Sequence, residues 1–258
     1  MPGYSTPAIV LRKTDFGDYD LIITLFTLKE GKITAIAKSA KKSTKRFGGI
    51  LELFSALDVV YGTGLRKGLP VLQEAILKHP FPSIRSSMLK TAYASYWAEL
   101  INDWMENGQV EARLYQLFHH VLKELDAGRV PEAALSILFQ MRFITIAGLA
   151  PNLTQCSVCR VEVEKIKGAR VEFNLEKGGI ICGGCASGTL AKNFLSKGTL
   201  KQLLWLEKGD LTTAVRVKFV SGALREGLEF LEAFVPYHLG KSPRSLKFLR
   251  QIRNESFP

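Results

Sequence analysis

The first eighty residues hold five short apolar runs, TPAIVLRK, DLIITLFTL, KITAIAK, SALDVVYG and PVLQEAIL, each cut from the next by Gly, Asp or Pro. Runs of this length suit strands and are too short for most helices. The breaks at Gly17-Asp18, Glu30-Gly31-Lys32, Gly48-Gly49 and Gly62 through Pro70 have turn chemistry. Five strands packed this closely leave most pairs no room for a helical crossover. The N-terminal part is therefore expected to be a small closed β-barrel such as an OB-fold.

From Pro82 the period changes to that of helices. Tyr93, Trp97, Leu100 or Ile101 and Trp104 recur at helical spacing, and Leu114, Leu117, Phe118, Val121, Leu122 and Leu125 make one apolar stripe. Pro131 suits the first turn of a third helix that stops at Gly148. Helices are expected again at 199–207 and at 212–235, the latter closed by Pro236, with a last basic helix from Pro243 to Arg253. The class is α+β multidomain: a barrel over 1–80, helical segments over 81–150 and 191–258, and a cysteine-bearing insert over 151–190.

The insert carries the chain's four cysteines as Cys156-Ser-Val-Cys159 and Cys182-Gly-Gly-Cys185, with 22 residues between the pairs. Four thiolates bind zinc tetrahedrally, and two C-x-x-C turns can each present two sulfurs. The separation exceeds the usual spacer of about 15–20 residues, which a long hairpin, VEFNLEKGGIIC, would absorb. Gly178-Gly179 suits that hairpin, and Gly183-Gly184 is expected to let the second turn fold tightly. The pattern predicts one structural zinc ion in a zinc ribbon. Local disulfides or free buried thiols are the alternative, disfavoured in a reducing compartment.

Charge is the unusual total: 35 Lys+Arg against 24 Asp+Glu, net +11. Such a surplus points to a polyanionic partner. It is concentrated in AKSAKKSTKR, where Lys38, Lys41, Lys42, Lys45 and Arg46 stand without an acid, and in HLGKSPRSLKFLRQIR, which supplies Lys241, Arg244, Lys247, Arg250 and Arg253. Arg12 and Lys13 end the first strand, and Arg66 and Lys67 lie between the fourth and fifth. An OB barrel holds single strands with a positive groove and aromatic platforms, for which Phe16, Tyr19, Phe47 and Tyr61 are candidates. Solvated surface is the plain alternative for any one lysine-rich loop, and the second basic segment argues against it.

Enzyme motifs are missing. His79, His119, His120 and His238 stand in no metal-protease pattern, GTGLRKG is no dinucleotide loop, and LGKSP lacks the phosphate loop's first glycine because position 235 is Val235. No enzymatic activity is expected. The N-terminus MPGYSTPAIVLRK has no charged region ahead of an apolar one, so a cytoplasmic protein is expected. The most apolar stretch, residues 133–150, has Arg142 at its centre at a cost of about 2.5–3.5 kcal/mol for membrane insertion. It reads as a buried helix.

Five segments in order, DFGDYDLIITLFTLKEGKITAIAKSAKK, FGGILELFSALDV, AGLAPNLTQCSVC, GGIICGGC and HLGKSPRSLKFL, resemble the RecO family of bacterial recombination mediators and DNA-repair proteins. The resemblance covers nearly the whole chain and implies an OB-fold, a helical domain and a zinc-binding insert. It further implies binding of single- and double-stranded DNA, ATP-independent annealing of complementary strands, and help in loading recombinase together with RecR. The implied partners are RecR and the acidic C-terminal tail of the single-stranded-DNA-binding protein, in a nucleoid-associated setting. Carried onto this sequence, the DNA face includes Lys38, Lys41, Lys42, Lys45 and Arg46, and the zinc ligands are the four cysteines. Ser39 departs from the family's usual Ala-Lys-Gly and puts the local turn in question. An RNA- or ribosome-associated zinc-ribbon protein is the main rival, since OB barrels and basic tails also serve RNA.

Overall fold

The computed structural model describes residues 4–43, 46–62, 68–186 and 193–256. The chain forms two compact units, one of Met1–Ala127 with Phe248–Pro258 and one of Gly128–Lys247. Among the described residues no helix is long and apolar enough to cross a membrane.

In the first unit, strands β1 (Tyr4–Phe16), β2 (Asp20–Thr27), β3 (Gly31–Ala37), β4 (Ala56–Gly62) and β5 (Val71–His79) close into a barrel of order β1-β2-β3-β5-β4. The five apolar runs of the sequence are these strands. Alternation explains their register, since Leu21, Ile23 and Leu25 of β2 and Ala35 and Ala37 of β3 all point into one core. β1 is long enough to pair with both β2 and β4, and its register slips between Val10 and Arg12, a bend of the kind that closure requires. Closure itself is slight: β3 meets β5 in parallel at Ile36 and Val71, with the Ile36 N–H donating to the Pro70 carbonyl at 2.8 Å.

The connection from β3 to β4, residues 38–55, is not a free loop. Ala40, Phe47 and Leu51 are buried in the same core as the strands. Phe54 is buried with its N–H donating to the Val10 carbonyl. Helices α1 (Pro82–Ser86), α2 (Met88–Trp104) and α3 (Ala112–Ala127) complete this part. The α3 stripe predicted from spacing is buried as a whole, and Tyr115 packs edge-on against Phe26 of the barrel at 5.6 Å. Gly31 sits at φ +69° under the Gln109 carbonyl, where a Cβ would come within 1.9 Å of the oxygen, so no other residue fits at the start of β3.

The second unit holds α4 (Glu132–Ile146), the 3-10 turn Val163–Lys165, a small sheet of order β7-β6-β8 (β6 Arg170–Asn174, β7 Gly179–Ile181, β8 Asn193–Ser196), and helices α5 (Lys197–Lys208), α6 (Leu211–Ala214) and α7 (Ser221–Leu239). The expected hairpin is β6–β7, and β8 adds a third strand that its four residues did not announce. Phe173 of β6 meets Phe230 of α7 edge-to-face at 4.8 Å. Glu226 of α7 accepts from the Ser196 N–H and the Thr199 hydroxyl at 2.9 and 2.7 Å, tying β8 and the start of α5 to α7.

The expected helix over 212–235 is two helices, α6 and α7. Asp210 caps α6, accepting from the N–H groups of Thr212 and Thr213, while Val215-Arg-Val-Lys-Phe-Val220 has β-branched alternation that suits extended chain. Pro236 does not close α7 but lies inside it, and the stop is Gly240 at φ +65°. Buried Leu231, Phe234 and Val235 hold that last stretch in place against the loss of one helical hydrogen bond. The final helix, α8 (Arg244–Ser256), begins in the second unit and ends in the first.

Ser39 adopts φ +56°, the left-handed region in which glycine alone carries no steric cost. The turn it makes is held by the Asp20 carboxylate, which accepts from the Ser39 N–H at 2.7 Å, and by the Lys42 and Ser43 N–H groups donating to the Ser39 carbonyl. Replacing Ser39 with Gly should therefore stabilise the barrel by about 1 kcal/mol, read as a higher denaturant midpoint at unchanged slope.

Candidate nucleic-acid interface and metal centre

The basic run lies against the β1–β2 turn. The Lys41 N–H donates to the Tyr19 carbonyl at 3.0 Å, and with the Asp20–Ser39 bond this brings residues 38–42 beside residues 15–20. Lys42 Nζ stands 3.4 Å from the centroid of the Tyr19 ring, a cation–π distance. Arg46 donates to the Lys38 carbonyl at 3.0 Å and places its guanidinium 5.0 Å from the Phe47 ring. Lys38, Lys42 and Arg46 are exposed, and no carboxylate pairs with them among the described residues. Phe16 and Tyr19 are 52% and 46% exposed, so cations and two partly exposed rings share one surface, with Lys42 over one face of Tyr19.

Two expectations need correction. Phe47 and Tyr61 are buried, at 3% and 6% exposure, because the first fills the barrel core and the second stacks on Tyr4 at 5.6 Å; neither offers a face to a base. The run is also not wholly without counterions, since Lys41 pairs with Asp15 at 3.0 Å; Lys13 of β1 is likewise paired, with Glu52 at 2.9 Å. Both acids are distant in sequence from the lysines they meet. Arg12 lies exposed on β1. Lys45, Arg66 and Lys67 lie outside the described residues.

At the other end Lys241, Arg244, Lys247 and Arg250 are all exposed, while Leu246, Leu249 and Ile252 at a spacing of three bury the opposite side of α8. Phe248, 46% exposed between Lys247 and Arg250, adds an aromatic face that charge counting passes over. An exposed aromatic within a basic helical stripe is the signal by which it is found.

The four cysteine sulfurs lie within 4.8 Å of one another. Between the pairs, the Cys159 and Cys182 sulfurs stand 3.6 Å apart. A tetrahedron with metal–sulfur bonds near 2.3 Å has sulfur–sulfur edges of about 3.8 Å, so the donor set has the size a zinc-like ion requires and is too open for disulfides. The first turn is closed by the Arg160 N–H donating to the Cys156 carbonyl at 3.0 Å, with Arg160 at φ +65°. The second is closed by the Cys185 and Ala186 N–H groups donating to the Cys182 carbonyl.

Of the two glycine pairs, Gly178-Gly179 serves the hairpin as expected, with Gly178 at φ +68°, while Gly183-Gly184 shows no close approach that requires glycine. A Cβ at Gly183 or Gly184 would meet nothing within 4 Å, whereas one at Gly179 would come within 2.3 Å of the Asn152 carbonyl oxygen. It is the approach of residue 152 to the β6–β7 hairpin that demands a missing side chain. The Ser157 N–H donates to the Ile180 carbonyl at 2.8 Å, fixing the first cysteine turn beside the strand that leads into the second.

Burial alone would raise the Cys156 thiol, but backbone N–H groups of Cys159, Cys182 and Val158 directed at its sulfur outweigh this and bring it down to about 6. Hydrogen bonds with the Cys182 and Cys159 sulfurs push Cys185 up to about 12. One sulfur thus gives up its proton readily and another resists, and a divalent cation at the centre would hold all four as thiolates.

Comparison with known proteins agrees with this arrangement. The chain matches two family models, Recombination protein O N terminal over residues 1–81 and Recombination protein O C terminal over residues 85–247. It is 46% identical over 259 residues to the DNA repair protein RecO of Desulfosudis oleivorans, covering 98% of this chain and 100% of that relative. It is 45% identical over 258 residues to the DNA repair protein RecO of Desulfatibacillum aliphaticivorans, covering 100% of both. A third relative, the DNA repair protein RecO of Anaeromyxobacter dehalogenans, is 35% identical over 244 residues. Both halves of the molecule, the basic barrel and the helical unit with its cysteine cluster, fall within these matches, and the chain belongs to the RecO family of DNA repair and recombination proteins.

Proposed function

We propose that this chain is a non-enzymatic recombination mediator that binds single- and double-stranded DNA and anneals complementary strands without ATP. The observation that carries the reading is the group of exposed Lys38, Lys42 and Arg46 set beside the partly exposed rings of Phe16 and Tyr19 on a braced barrel surface. Cations at this spacing replace the counterions of a phosphate backbone, and the rings give unpaired bases a surface on which to stack.

Annealing brings together two backbones of like charge, whose repulsion is screened only beyond a Debye length of about 8 Å at physiological salt. A protein with cations on its barrel and on α8 lowers that repulsion from two places, which supports strand pairing driven by the bases themselves. The family relationship supports RecR and the acidic tail of the single-stranded-DNA-binding protein as partners and a cytoplasmic, nucleoid-associated setting. Exposed lysines suit an acidic tail as well as phosphate.

The four-cysteine centre holds one structural Zn²⁺ in this reading. All four ligand positions are protein sulfurs, which leaves none for substrate. The ion fixes the β6–β7 hairpin and the two cysteine turns.

Replacing Lys38, Lys42 and Arg46 together with Glu should weaken binding to single-stranded DNA, slow annealing, and shrink the slope of log affinity against log salt by about 0.7 for each phosphate that is no longer neutralised. Unchanged affinity and annealing at low salt would rule out the barrel face as the binding surface. Elemental analysis should find one zinc per chain. A strong chelator should strip it and disorder residues 152–186 in amide exchange while the barrel strands stay protected. A chain that folds fully protected without metal would contradict the structural role.

A further inference from the structure

Helix α5 carries a second, smaller surface of the same chemistry. Lys201, Trp205 and Lys208 follow one another at four and three residues and all are exposed, Trp205 at 43%. At about 100° per residue the three fall within an arc of about 60°, on the side away from buried Leu203 and Leu206. Gln202 donates to the Lys218 carbonyl at 3.3 Å, which lays Lys218, in the segment that follows the turn holding Arg216, beside α5, both residues being exposed.

The nearby acids are engaged elsewhere. Glu207 lies about 120° round the helix from Lys201, and Glu207 and Asp210 both act on the Arg142 guanidinium, while Asp210 also caps α6. The indole lies alongside Gly209, where a Cβ would stand 3.9 Å from its Cη2 and Cζ2 atoms, so the missing side chain leaves that side of the ring uncrowded. A large, partly exposed aromatic ring between two lysines on one helix face, with Lys218 on the adjoining segment, is a platform for a base with phosphates on either side.

We infer that Trp205, with Lys201, Lys208 and Lys218, is a second contact for single-stranded DNA, the indole stacking on an unpaired base. This rests on the DNA-binding reading above, and the test separates the two. Binding of the intact chain to labelled oligo(dT) and to a blunt duplex is measured at low salt for the wild type, Trp205→Ala, Trp205→Phe and the pair Lys201→Glu with Lys208→Glu.

Trp205→Ala should lose about tenfold in oligo(dT) affinity, the order expected for one stacked base, with duplex binding unchanged because paired bases offer no free face. Trp205→Phe should recover most of the loss, and the lysine pair should weaken oligo(dT) binding and reduce its salt dependence. Oligo(dT) affinity equal to wild type in Trp205→Ala overturns the inference, as does an equal loss on duplex. Unchanged oligo(dT) binding with loss of affinity for an acidic peptide would reassign the surface to a protein partner. Failure of the wild type to bind oligo(dT) at all would instead sink the DNA-binding reading itself.

Discussion

The charged face of this molecule depends on apolar burial beneath it. Residues 38–55 carry the densest positive charge in the chain, and like charges in a connection of that length would ordinarily spread it through solvent. Ala40, Phe47 and Leu51 prevent this by entering the barrel core. Burying a phenylalanine is worth about 2–3 kcal/mol, whereas an exposed ion pair such as Lys41–Asp15 contributes about 0–1 kcal/mol. The apolar anchors therefore decide where the lysines stand, and the ion pairs and the Asp20–Ser39 bond refine it. The proposed DNA binding would follow from this order of effects, because cations held on a frame meet a phosphate backbone at lower entropic cost than cations on a loose tether.

The second unit meets the same need by other means. The β6–β7 hairpin and the cysteine turns are too short to bury much of their own surface. They are held on one side by Phe173 against Phe230 and on the other by four sulfurs spaced for a metal. Glu226 then joins β8 to α5 and α7 through Ser196 and Thr199, so the sheet and the helix that carries Trp205 are parts of one hydrogen-bonded arrangement.

Much of this was legible in the chain, and the parts that were not share a physical cause. Alternation in DLIITLFT, the stripe from Leu114 to Leu125 and the spacing of the cysteines each report a local period, and each appears in the fold as read. The sequence departure at Ser39 marked the turn that proves to lie at positive φ. The burial of Phe47 and Tyr61, the pairing of Lys41 with Asp15, the close approach of Asn152 to Gly179 and the third strand β8 all depend on contacts between segments far apart in the chain. The division of 211–239 into two helices was local but masked, because valines satisfy a hydrophobic count while disfavouring a helix. Trp205 was passed over since a tryptophan in a helical run looks like core until its exposure is known.

The central claim is that rigid display, rather than charge alone, is what would let the barrel bind DNA as proposed. The most direct measurement is the single-strand affinity of Phe47→Ala, a change that leaves every cation in place, made at a temperature where the barrel strands remain protected from amide exchange. The account predicts a marked loss of affinity as residues 38–55 loosen from the core. Affinity equal to that of the unaltered chain, with the loop demonstrably loosened, would contradict it.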